Sequence, residues 1–408
     1  HHSMTNEQIE WFKAGSALNH IKTRGMKPVN SQVKTPAFAA GLEGVIACAT
    51  RLSHVDGALG KLIFSGHLAP ELAANHSVEA VWFLLHEGRL PEADELSAFT
   101  AKVESMGSLS AFEIKLVRQF RHGEPLSDFR SAVSAVAAHR GYKPWLNREL
   151  ADVEEEILGL CALAPAILEV IVTGRKPLLK RGNRGYADRY LWGITRRKPT
   201  VEAVKALSTY LVLTMDHGMN ASTFASRVTA STGADVGAAI TAGIATLSGP
   251  LHGGAPGPVL DMLDGIGSPD NATAWVQAQL TDKRRIMGFG HRVYRTDDPR
   301  ALALREVARQ QDGPRIGLAV VVEQEVLTAL ATHQRSKATL TGQPTRPLRT
   351  NVEFWTAVVL EHVGIPRQLF SSTFAVSRII GWGEHVREQV ANNKLFRPLS
   401  AYTGPEPE

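Results

Sequence analysis

Apolar residues recur at the three-to-four-residue spacing of amphipathic helices along most of the chain. In residues 200–215, Val204, Leu207 and Leu211 fall at i, i+3 and i+7. Alternation with a period of two residues is nearly absent, and the best strand candidate is the short run 60–64. The pattern therefore predicts a mostly α-helical fold, with further helices at 77–87, 318–331, 353–361 and 371–390.

The most apolar stretch of the chain is 157–172, which contains Pro165 and Glu169. It is too short and too polar to predict a bilayer span, so we expect a buried helix that is kinked at the proline, and no membrane association. The two cysteines, Cys48 and Cys161, fall in segments predicted to be apolar helix. Two such residues predict neither a disulfide framework nor a zinc site, and they favour a reducing compartment.

The ends of the chain and its charge complete this picture. The first four residues, His-His-Ser-Met, resemble the remnant of a purification tag, with Met4 taken as the native start. No leader pattern follows Met4, so we expect a cytoplasmic protein. The formal net charge is +5, and the densest basic stretch is 175–197. Because the basic residues form no stripe interleaved with aromatics, we expect no nucleic-acid partner. A weak positive field would attract small polyanionic substrates.

Glycine and proline mark three predicted loops between helices, at 248–257, 288–290 and 342–349. His252 lies in the first loop and His291 directly follows the second. Catalytic groups are often found on loops that a rigid scaffold holds in place, so these two histidines are the first candidates for chemistry.

The candidate residues form a set with a definite chemical use. His217, His252 and His291 each lie beside a glycine and precede the carboxylate of Glu353, and arginines follow or surround them. No metal-ligand spacing and no Gly-x-Ser-x-Gly motif is present. Histidines polarise carbonyl groups, a carboxylate accepts a carbon-bound proton, and arginines clamp carboxylate substrates. The set suits enolisation of a thioester followed by attack on a ketone, with no metal and no permanently bound cofactor.

The chain also resembles the citrate synthase family in its motifs between about 186 and 404. The segments that carry this resemblance occur in the family's order, and they are Asp-His-Gly-Met-Asn-Ala-Ser-Thr-Phe at 216–224, Gly-Pro-Leu-His-Gly-Gly-Ala at 249–255, Gly-Phe-Gly-His-Arg-Val-Tyr at 288–294, Asp-Pro-Arg at 298–300, Asn-Val-Glu-Phe at 351–354 and Ser-Arg-Ile-Ile-Gly-Trp at 377–382. A final Arg-Pro-x-x-x-Tyr-x-Gly pattern covers 397–404. The Tyr-Arg-Gly element usual near the family's N-terminus is not found at 62–67.

The resemblance implies a role for each matching residue. The catalytic residues would be His252, which holds the thioester oxygen, His291, which polarises the ketone, and Glu353, which acts as the base. The oxo-acid would bind to His217, Arg300, Phe374, Arg378 and Arg397. The coenzyme A thioester, which is the co-substrate, would contact Arg285, Ile286, Met287, Gly288, Phe289, Gly290, Arg295, Arg346 and Asn351.

The resemblance further implies an all-α, two-domain architecture in a homodimer, with Arg397 reaching across the interface. We expect a large domain at 36–254 and 365–408 and a small, CoA-binding domain at 255–364. Residues 1–35 would hold the tag remnant and an N-terminal arm, of which 5–24 either packs on the partner subunit or frays. Nothing in the sequence suggests the extra N-terminal β-domain of hexameric, NADH-regulated relatives.

The chain departs from the family pattern in three places. Glu353 stands where the family has an aspartate, so the carboxylate is one methylene further from the backbone. Pro256-Gly257 replaces the usual Asn-Glu or Asn-Gln after the His252 motif, and Leu399 stands where an arginine is common. A displacement of about 1 Å at a catalytic group can reduce the rate by roughly a hundredfold, so the first departure bears on activity.

The implied reaction condenses acetyl-CoA, or a related short acyl-CoA, with oxaloacetate to give citrate or an alkylcitrate and CoA, as in the tricarboxylic acid cycle. Three alternatives stay open at this point. They are a 2-methylcitrate synthase using propionyl-CoA, an alkylcitrate synthase taking longer chains, and a paralogue of low or no activity that only binds ligand.

Overall fold

The computed structural model describes residues 39–178, 184–253, 257–291, 293–341 and 348–405, together with Lys13, and it leaves the side chains of 336–341 undescribed. Contacts group Thr50–Arg397 into one compact unit. The second unit, His1–Ala49 with Pro398–Glu408, contains a short 3₁₀ helix at Ala40–Leu42. The predicted division into large and small domains stays a prediction, and the predicted N-terminal arm lies almost wholly outside the described residues.

Helices dominate the described residues, which confirms the predicted fold class. They are α1 (Ala69–Asn75), α2 (Val78–Glu87), α3 (Ala93–Met106), α4 (Ala111–Arg118), α5 (Pro125–His139), α6 (Leu150–Thr173), α7 (Gly185–Thr195), α8 (Val201–Thr214), α9 (Ala221–Ser231), α10 (Val236–Leu247), α11 (Gly257–Ile266), α12 (Ala272–Thr281), α13 (Pro299–Arg309), α14 (Pro314–Thr341), α15 (Val352–His362) and α16 (Phe370–Ala391). Short 3₁₀ helices lie at Pro269–Asn271 and Arg367–Leu369. Each of the five helices predicted from periodicity is present.

A small antiparallel sheet precedes the helices. Its strands are β1 (Ser53–Asp56), β2 (Lys61–Phe64) and β3 (His67–Leu68), in the order β1-β2-β3. β2 confirms the strand predicted at 60–64. Ser53 pairs with Phe64 and Asp56 with Lys61, so the β1–β2 turn is formed by residues 57–60.

Helix α16 is the central element of the Thr50–Arg397 unit. It packs against α6, α8, α9 and α10, and it is buried along most of its length. Helix α8 contacts α16 as well as α13 and α15. The first turn of α13 lies near His217, since the charge of Arg300 acts on that imidazole, and Asp298 at the start of α13 accepts from the N–H of Val352 at the start of α15.

The predicted apolar helix at 157–172 belongs to the longer helix α6, which continues through Pro165. By length and composition alone, α6 and the span Pro314–Arg335 could each cross a membrane, so the argument from insufficient length was wrong. The apolar window of α6 is 83% buried inside the protein, however, which confirms its prediction as a buried helix.

The position of Cys161 explains how α6 accommodates its proline. Pro165 has no N–H, so the carbonyl of Cys161, four residues earlier, loses its helical donor. Tyr186 on α7 supplies a substitute donor, whose single hydroxyl proton is shared between the carbonyl of Cys161 at 3.2 Å and that of Val376 at 3.1 Å. Cys161 is buried in a helix as predicted, whereas Cys48 lies in a non-helical segment, so the helix predicted there was wrong. The segment 45–50 has no regular hydrogen-bonded structure.

Tyr186→Phe should lower the free energy of unfolding by about 1–2 kcal/mol, because a buried carbonyl loses its donor. Pro165→Ala restores the helical N–H, so the same Tyr186 substitution should cost less in that background. Denaturant unfolding of the four variants at one protein concentration measures this coupling. Equal costs of Tyr186→Phe in both backgrounds would refute the explanation.

Candidate active site

His217 lies at the centre of the candidate site, three residues after the end of α8. It is partly buried, and its pKa lies well below the usual value. Burial is the largest cause, followed by the charges of Arg300 and Arg378 and the proximity of His291 and His252. The structure therefore brings these five predicted residues together, although they are spread over more than 150 positions of the sequence.

Arg378 extends from the buried face of α16 and is 1% exposed. Its Nε donates to the carbonyl of Thr214 at 2.7 Å, and its guanidinium lies 4.6 Å from the ring centroid of Phe374, one turn earlier on α16. This confirms that Phe374 and Arg378 share a helix face. No carboxylate pairs with Arg378 among the described side chains, and burial lowers the pKa of its guanidinium to about 10.

The residue before His217, Asp216, is a buried carboxylate whose charge acts on Arg378. Asp216 is 0% exposed and accepts hydrogen bonds from the hydroxyl of Ser53 and, at 3.2 Å, from Nε2 of His385. His385 Nδ1 lies 3.0 Å from the Arg227 guanidinium, which can only donate, so the His385 proton is on Nε2. In spite of burial, the hydrogen bonds from His385 and Ser53 and the charge of Arg378 hold the pKa of Asp216 below its usual value. The negative charge of Asp216 thus balances Arg378 electrostatically.

His252 lies in the loop between α10 and α11 and faces the first turn of α9. The backbone N–H of Ser222 donates to Nε2 of His252 at 3.2 Å, and the Ser222 hydroxyl lies 2.7 Å from the same nitrogen. Trp382 Nε1 donates to that hydroxyl at 3.1 Å. The Ser222 N–H is shared between Nε2 of His252 and, at 3.1 Å, Oδ1 of Asn220. Its direction toward Nε2 favours the neutral His252 tautomer with the proton on Nδ1. Burial and the charge of Arg378 lower the pKa of His252 to about 4.

In His291 the backbone donors face the other ring nitrogen, Nδ1, and not Nε2 as in His252. The backbone N–H groups of Val293 and Tyr294 donate to its Nδ1 at 2.9 and 3.0 Å, so a neutral ring has its proton on Nε2. Nε2 lies 3.3 Å from Nη2 of Arg300. Arg300 can only donate, so the edge of the His291 ring and the Arg300 guanidinium meet at one place, where an acceptor oxygen such as that of a ketone would contact both.

Asp298 fixes Arg300 from the start of α13. Its carboxylate accepts from Arg300 Nε at 3.0 Å and Nη2 at 2.9 Å, and it also caps the helix through the Arg300 backbone N–H. A second backbone donor, Val352, reaches the same carboxylate at 3.2 Å. Asp298 therefore links the first turns of α13 and α15, and it holds Arg300 in place for a ligand.

Glu353 lies in the first turn of α15 and is partly buried. Burial raises the pKa of its carboxyl, while Arg285 and Arg300 oppose that rise. Its backbone N–H donates to Oδ1 of Asn351, the N-cap residue of α15. A carboxylate with a raised pKa is a stronger base, which suits the predicted abstraction of a carbon-bound proton.

The loop predicted to bind coenzyme A is fixed to the start of α15. Asn351 Nδ2 donates to the carbonyl of Gly290 at 2.9 Å, and the Asn351 N–H donates to the carbonyl of Gly288. Gly288 has φ of 83°, and a Cβ there would lie 2.7 Å from Cβ of Phe354, so this position requires glycine. Ile286 and Phe289 are buried, Met287 is partly buried, and Arg285 and Arg295 are exposed.

The binding of CoA by this loop stays a prediction, and the Asn351 side chain is already used in internal hydrogen bonds. Arg346 and Pro256 lie outside the described residues. Arg397 is exposed in this chain, and its predicted reach across a dimer interface stays a prediction. Leu399 is also exposed. Among the described residues, no group of three or more His, Cys, Asp or Glu is arranged to hold a metal ion.

Four residues that contact the predicted site residues were not identified from the sequence. They are Asp216, Ser222, Tyr294 and Asp298, and all of them lie within the motifs that carry the resemblance. Asp298 before Pro299 is the sequence signal of a helix N-cap, which could have predicted its hydrogen bond to the Arg300 backbone. The partners of Asp216 and Ser222 come from α16 and distant loops, and no local signal predicts them.

The model of the family described as "Citrate synthase, C-terminal domain" matches residues 41–399. The chain belongs to the citrate synthase family. Citrate synthase of Synechocystis is 34% identical over 90% of this chain and 91% of its own length, and 2-methylcitrate synthase of Mycobacterium tuberculosis strain Erdman is 32% identical over 91% and 92%. The chain is accordingly an enzyme of the acyltransferase type.

Solved structures agree with this family assignment. Citrate synthase from Pyrobaculum aerophilum has a TM-score of 0.79 and 31% identity, covering 91% of this chain and 93% of its own. The Thermoplasma acidophilum citrate synthase, solved as a ternary complex with carboxymethyl coenzyme A and oxaloacetate, has a TM-score of 0.79 and 29% identity, covering 91% and 97%. The fold is therefore that of the citrate synthases.

His252→Asn should reduce the loss of stability on acidification. In the unfolded chain His252 takes up a proton near pH 6.5, but in the folded chain only near pH 4. The unfolded state thus binds more protons between these values, so the free energy of unfolding falls as pH decreases through this window. The variant lacks this contribution, and denaturant unfolding at pH 7, 5.5 and 4 should show a smaller fall.

His333→Asn, on the exposed surface of α14, is the matched control and should follow the wild-type profile. His217 contributes with the same sign in every variant, because its pKa is also lowered. Parallel wild-type and His252→Asn profiles would contradict the assigned burial of a neutral His252.

Proposed function

We propose that this enzyme condenses acetyl-CoA with oxaloacetate, giving citrate and free CoA. The observation that supports this most directly is that backbone N–H groups face opposite ring nitrogens in His252 and His291. These donors face Nε2 of His252 and Nδ1 of His291, and they favour neutral rings with the proton on Nδ1 and Nε2, respectively. Each ring would then offer one N–H to a different oxygen. A two-carbonyl condensation needs two such donors, one for a thioester oxygen and one for a ketone oxygen.

The arginines support a dicarboxylate as the second substrate. Arg378 is buried without a carboxylate partner among the described side chains, so an anionic ligand would gain a strong charge-assisted interaction there. Arg300 is already paired with Asp298 and contacts His291, which suits it to the ketone end of the same ligand. Arg397 of the partner subunit would add a third positive charge in the proposed homodimer.

The proposed reaction has three steps. Glu353 removes a proton from the acyl α-carbon, and the C–H electrons form the enol double bond while His252 Nδ1–H holds the thioester oxygen. The enolate carbon then attacks the ketone carbon, and the C=O π electrons move onto the ketone oxygen, where His291 and Arg300 stabilise the negative charge. This oxygen takes up the proton that Glu353 removed and becomes a hydroxyl. Water finally cleaves the thioester, releasing the CoA thiol and the tricarboxylate. The protein needs no bound metal or further cofactor for these steps.

Thiol release with oxaloacetate and acetyl-, propionyl- or longer acyl-CoAs should be fastest with acetyl-CoA. Faster release with propionyl-CoA would instead identify a 2-methylcitrate synthase, and preference for longer chains an alkylcitrate synthase. Oxaloacetate at a hundredfold excess over its Kd should also stabilise the fold by about 2.7 kcal/mol. Stabilisation without any turnover would contradict the proposal and identify a ligand-binding paralogue.

Glu353→Gln should reduce turnover by roughly 10²- to 10⁴-fold, because the amide cannot accept the carbon-bound proton. Thermal stabilisation by oxaloacetate should remain, since the arginines and His217 are unchanged. Glu353→Asp keeps a carboxylate and should retain more activity than Glu353→Gln. Glu306→Gln on the exposed face of α13 is the control, and near wild-type turnover in Glu353→Gln would eliminate the assigned base.

A further inference from the structure

The tautomers of the three site histidines are determined by different kinds of partner. His252 and His291 each accept from backbone N–H groups, which cannot change direction. Both also contact a side chain, Ser222 and Arg300, respectively. For His217 the described hydrogen-bond partner is a side chain alone, with Nε2 3.0 Å from the hydroxyl oxygen of Tyr294. A hydroxyl can donate or accept, so the chemistry of Tyr294 decides which nitrogen of His217 carries the proton.

Tyr294 lies between the two histidines that would bind the oxo-acid. It is 2% exposed, and its ring centroid is 4.7 Å from that of His291 and 5.6 Å from that of His217. Its backbone N–H donates to Nδ1 of His291, and the Arg300 guanidinium lies 5.7 Å from its ring centroid. One residue therefore contacts both histidines, through its backbone on one side and its hydroxyl on the other.

The backbone around Tyr294 is fixed by the β1–β2 turn. The N–H of Arg295 donates to the carbonyl of Gly57 at 2.7 Å. A Cβ at Gly57 would lie 2.4 Å from the carbonyl oxygen of Val293, so the two backbones meet at a distance that only glycine permits. The turn thereby holds the segment on both sides of Tyr294 and fixes where its hydroxyl lies.

The direction of the hydrogen bond follows from the two groups. A phenol is a good donor, and burial raises the pKa of Tyr294, so its hydroxyl keeps its proton over the whole physiological range. Burial and the nearby arginines lower the pKa of His217, so its imidazole is neutral and can accept at Nε2. The His217 proton then lies on Nδ1, where it is available as a donor to an anionic ligand.

We propose that Tyr294 is a positioning residue for the oxo-acid, whose hydroxyl donates to His217 Nε2 and holds that imidazole in the Nδ1–H tautomer and in a fixed ring orientation. This inference rests on the proposed binding of an oxo-dicarboxylate by His217. Without the hydroxyl, the imidazole can rotate and exchange tautomers, and part of its population presents a lone pair to the anion.

Tyr294→Phe removes only the hydroxyl and tests the proposal directly. The KM for oxaloacetate should rise roughly five- to tenfold, as expected for one buried hydrogen bond. The KM for acetyl-CoA and kcat should stay within about twofold. Tyr142→Phe is the matched control, since it removes a tyrosine hydroxyl that donates to the carbonyl of Glu156 on α6. That control should leave both KM values unchanged.

A double-mutant cycle tests whether Tyr294 acts through His217. In a His217→Gln background, Tyr294→Phe should change the KM for oxaloacetate by less than about twofold, because there is no imidazole left to orient. An undiminished effect in that background would overturn the proposal. Should His217→Gln bind oxaloacetate too weakly to titrate, the split between KM and kcat in Tyr294→Phe alone decides.

Three other results for Tyr294→Phe would also overturn the inference. They are unchanged kinetics, tighter binding of oxaloacetate, and a loss of kcat and stability without a change in the KM for oxaloacetate. Thermal stabilisation of the wild-type enzyme by oxaloacetate distinguishes failure of the proposed function from failure of the proposed role of Tyr294. If the wild type is neither stabilised nor active, the proposed function fails, whereas a responsive wild type with an indifferent Tyr294→Phe refutes only the role of Tyr294.

Discussion

Burial of the Arg378 guanidinium without a carboxylate ligand from the described side chains is the constraint on which the site depends. A buried cation is costly unless other groups compensate it. Here a backbone carbonyl, the face of Phe374 and the more distant charge of Asp216 provide partial compensation. Helix α16 can hold such a residue because it is buried on almost every side. The remaining demand for negative charge is what an anionic substrate would satisfy.

The same positive environment determines the state of the histidines. Charged arginines and burial act in the same direction on His217 and His252, and both favour the neutral imidazole. A neutral ring has one donor and one acceptor nitrogen, so the orientation of the imidazole decides whether a ligand meets a donor or an acceptor. The structure supplies that orientation through backbone N–H groups for His252 and His291, and these depend on loop geometry more than on side-chain identity.

Much of this was predictable from the sequence, and the reasons are physical. Periodicity predicted α8, α15 and α16, because the apolar residues on the buried face of an amphipathic helix recur every three to four positions. The glycine-rich loops predicted where the histidines lie. Cys48 was misplaced because an apolar run without a clear period does not separate a helix from an extended segment. The length of α6 was underestimated because its polar first turns extend beyond the apolar stretch.

The contacts between distant segments could not be predicted in this way. His385 beneath Asp216, Ser222 against His252 and the β1–β2 turn against Val293 join residues separated by 30 to more than 200 positions. Each depends on how whole helices pack. The resemblance to the citrate synthase family named the site residues, but it did not specify which hydrogen bonds orient them. Those bonds follow only from the three-dimensional arrangement.

Asn351 joins two parts of the enzyme that would otherwise respond separately to their ligands. It caps the helix that carries Glu353, and it also anchors the carbonyls of Gly288 and Gly290. One side chain therefore ties the position of the glycine loop to that of the base. If the loop holds the acyl carrier as proposed, the same amide sets the distance between the thioester and the carboxylate that acts on it. A single helix cap would then serve both the binding of the carrier and the alignment of the base.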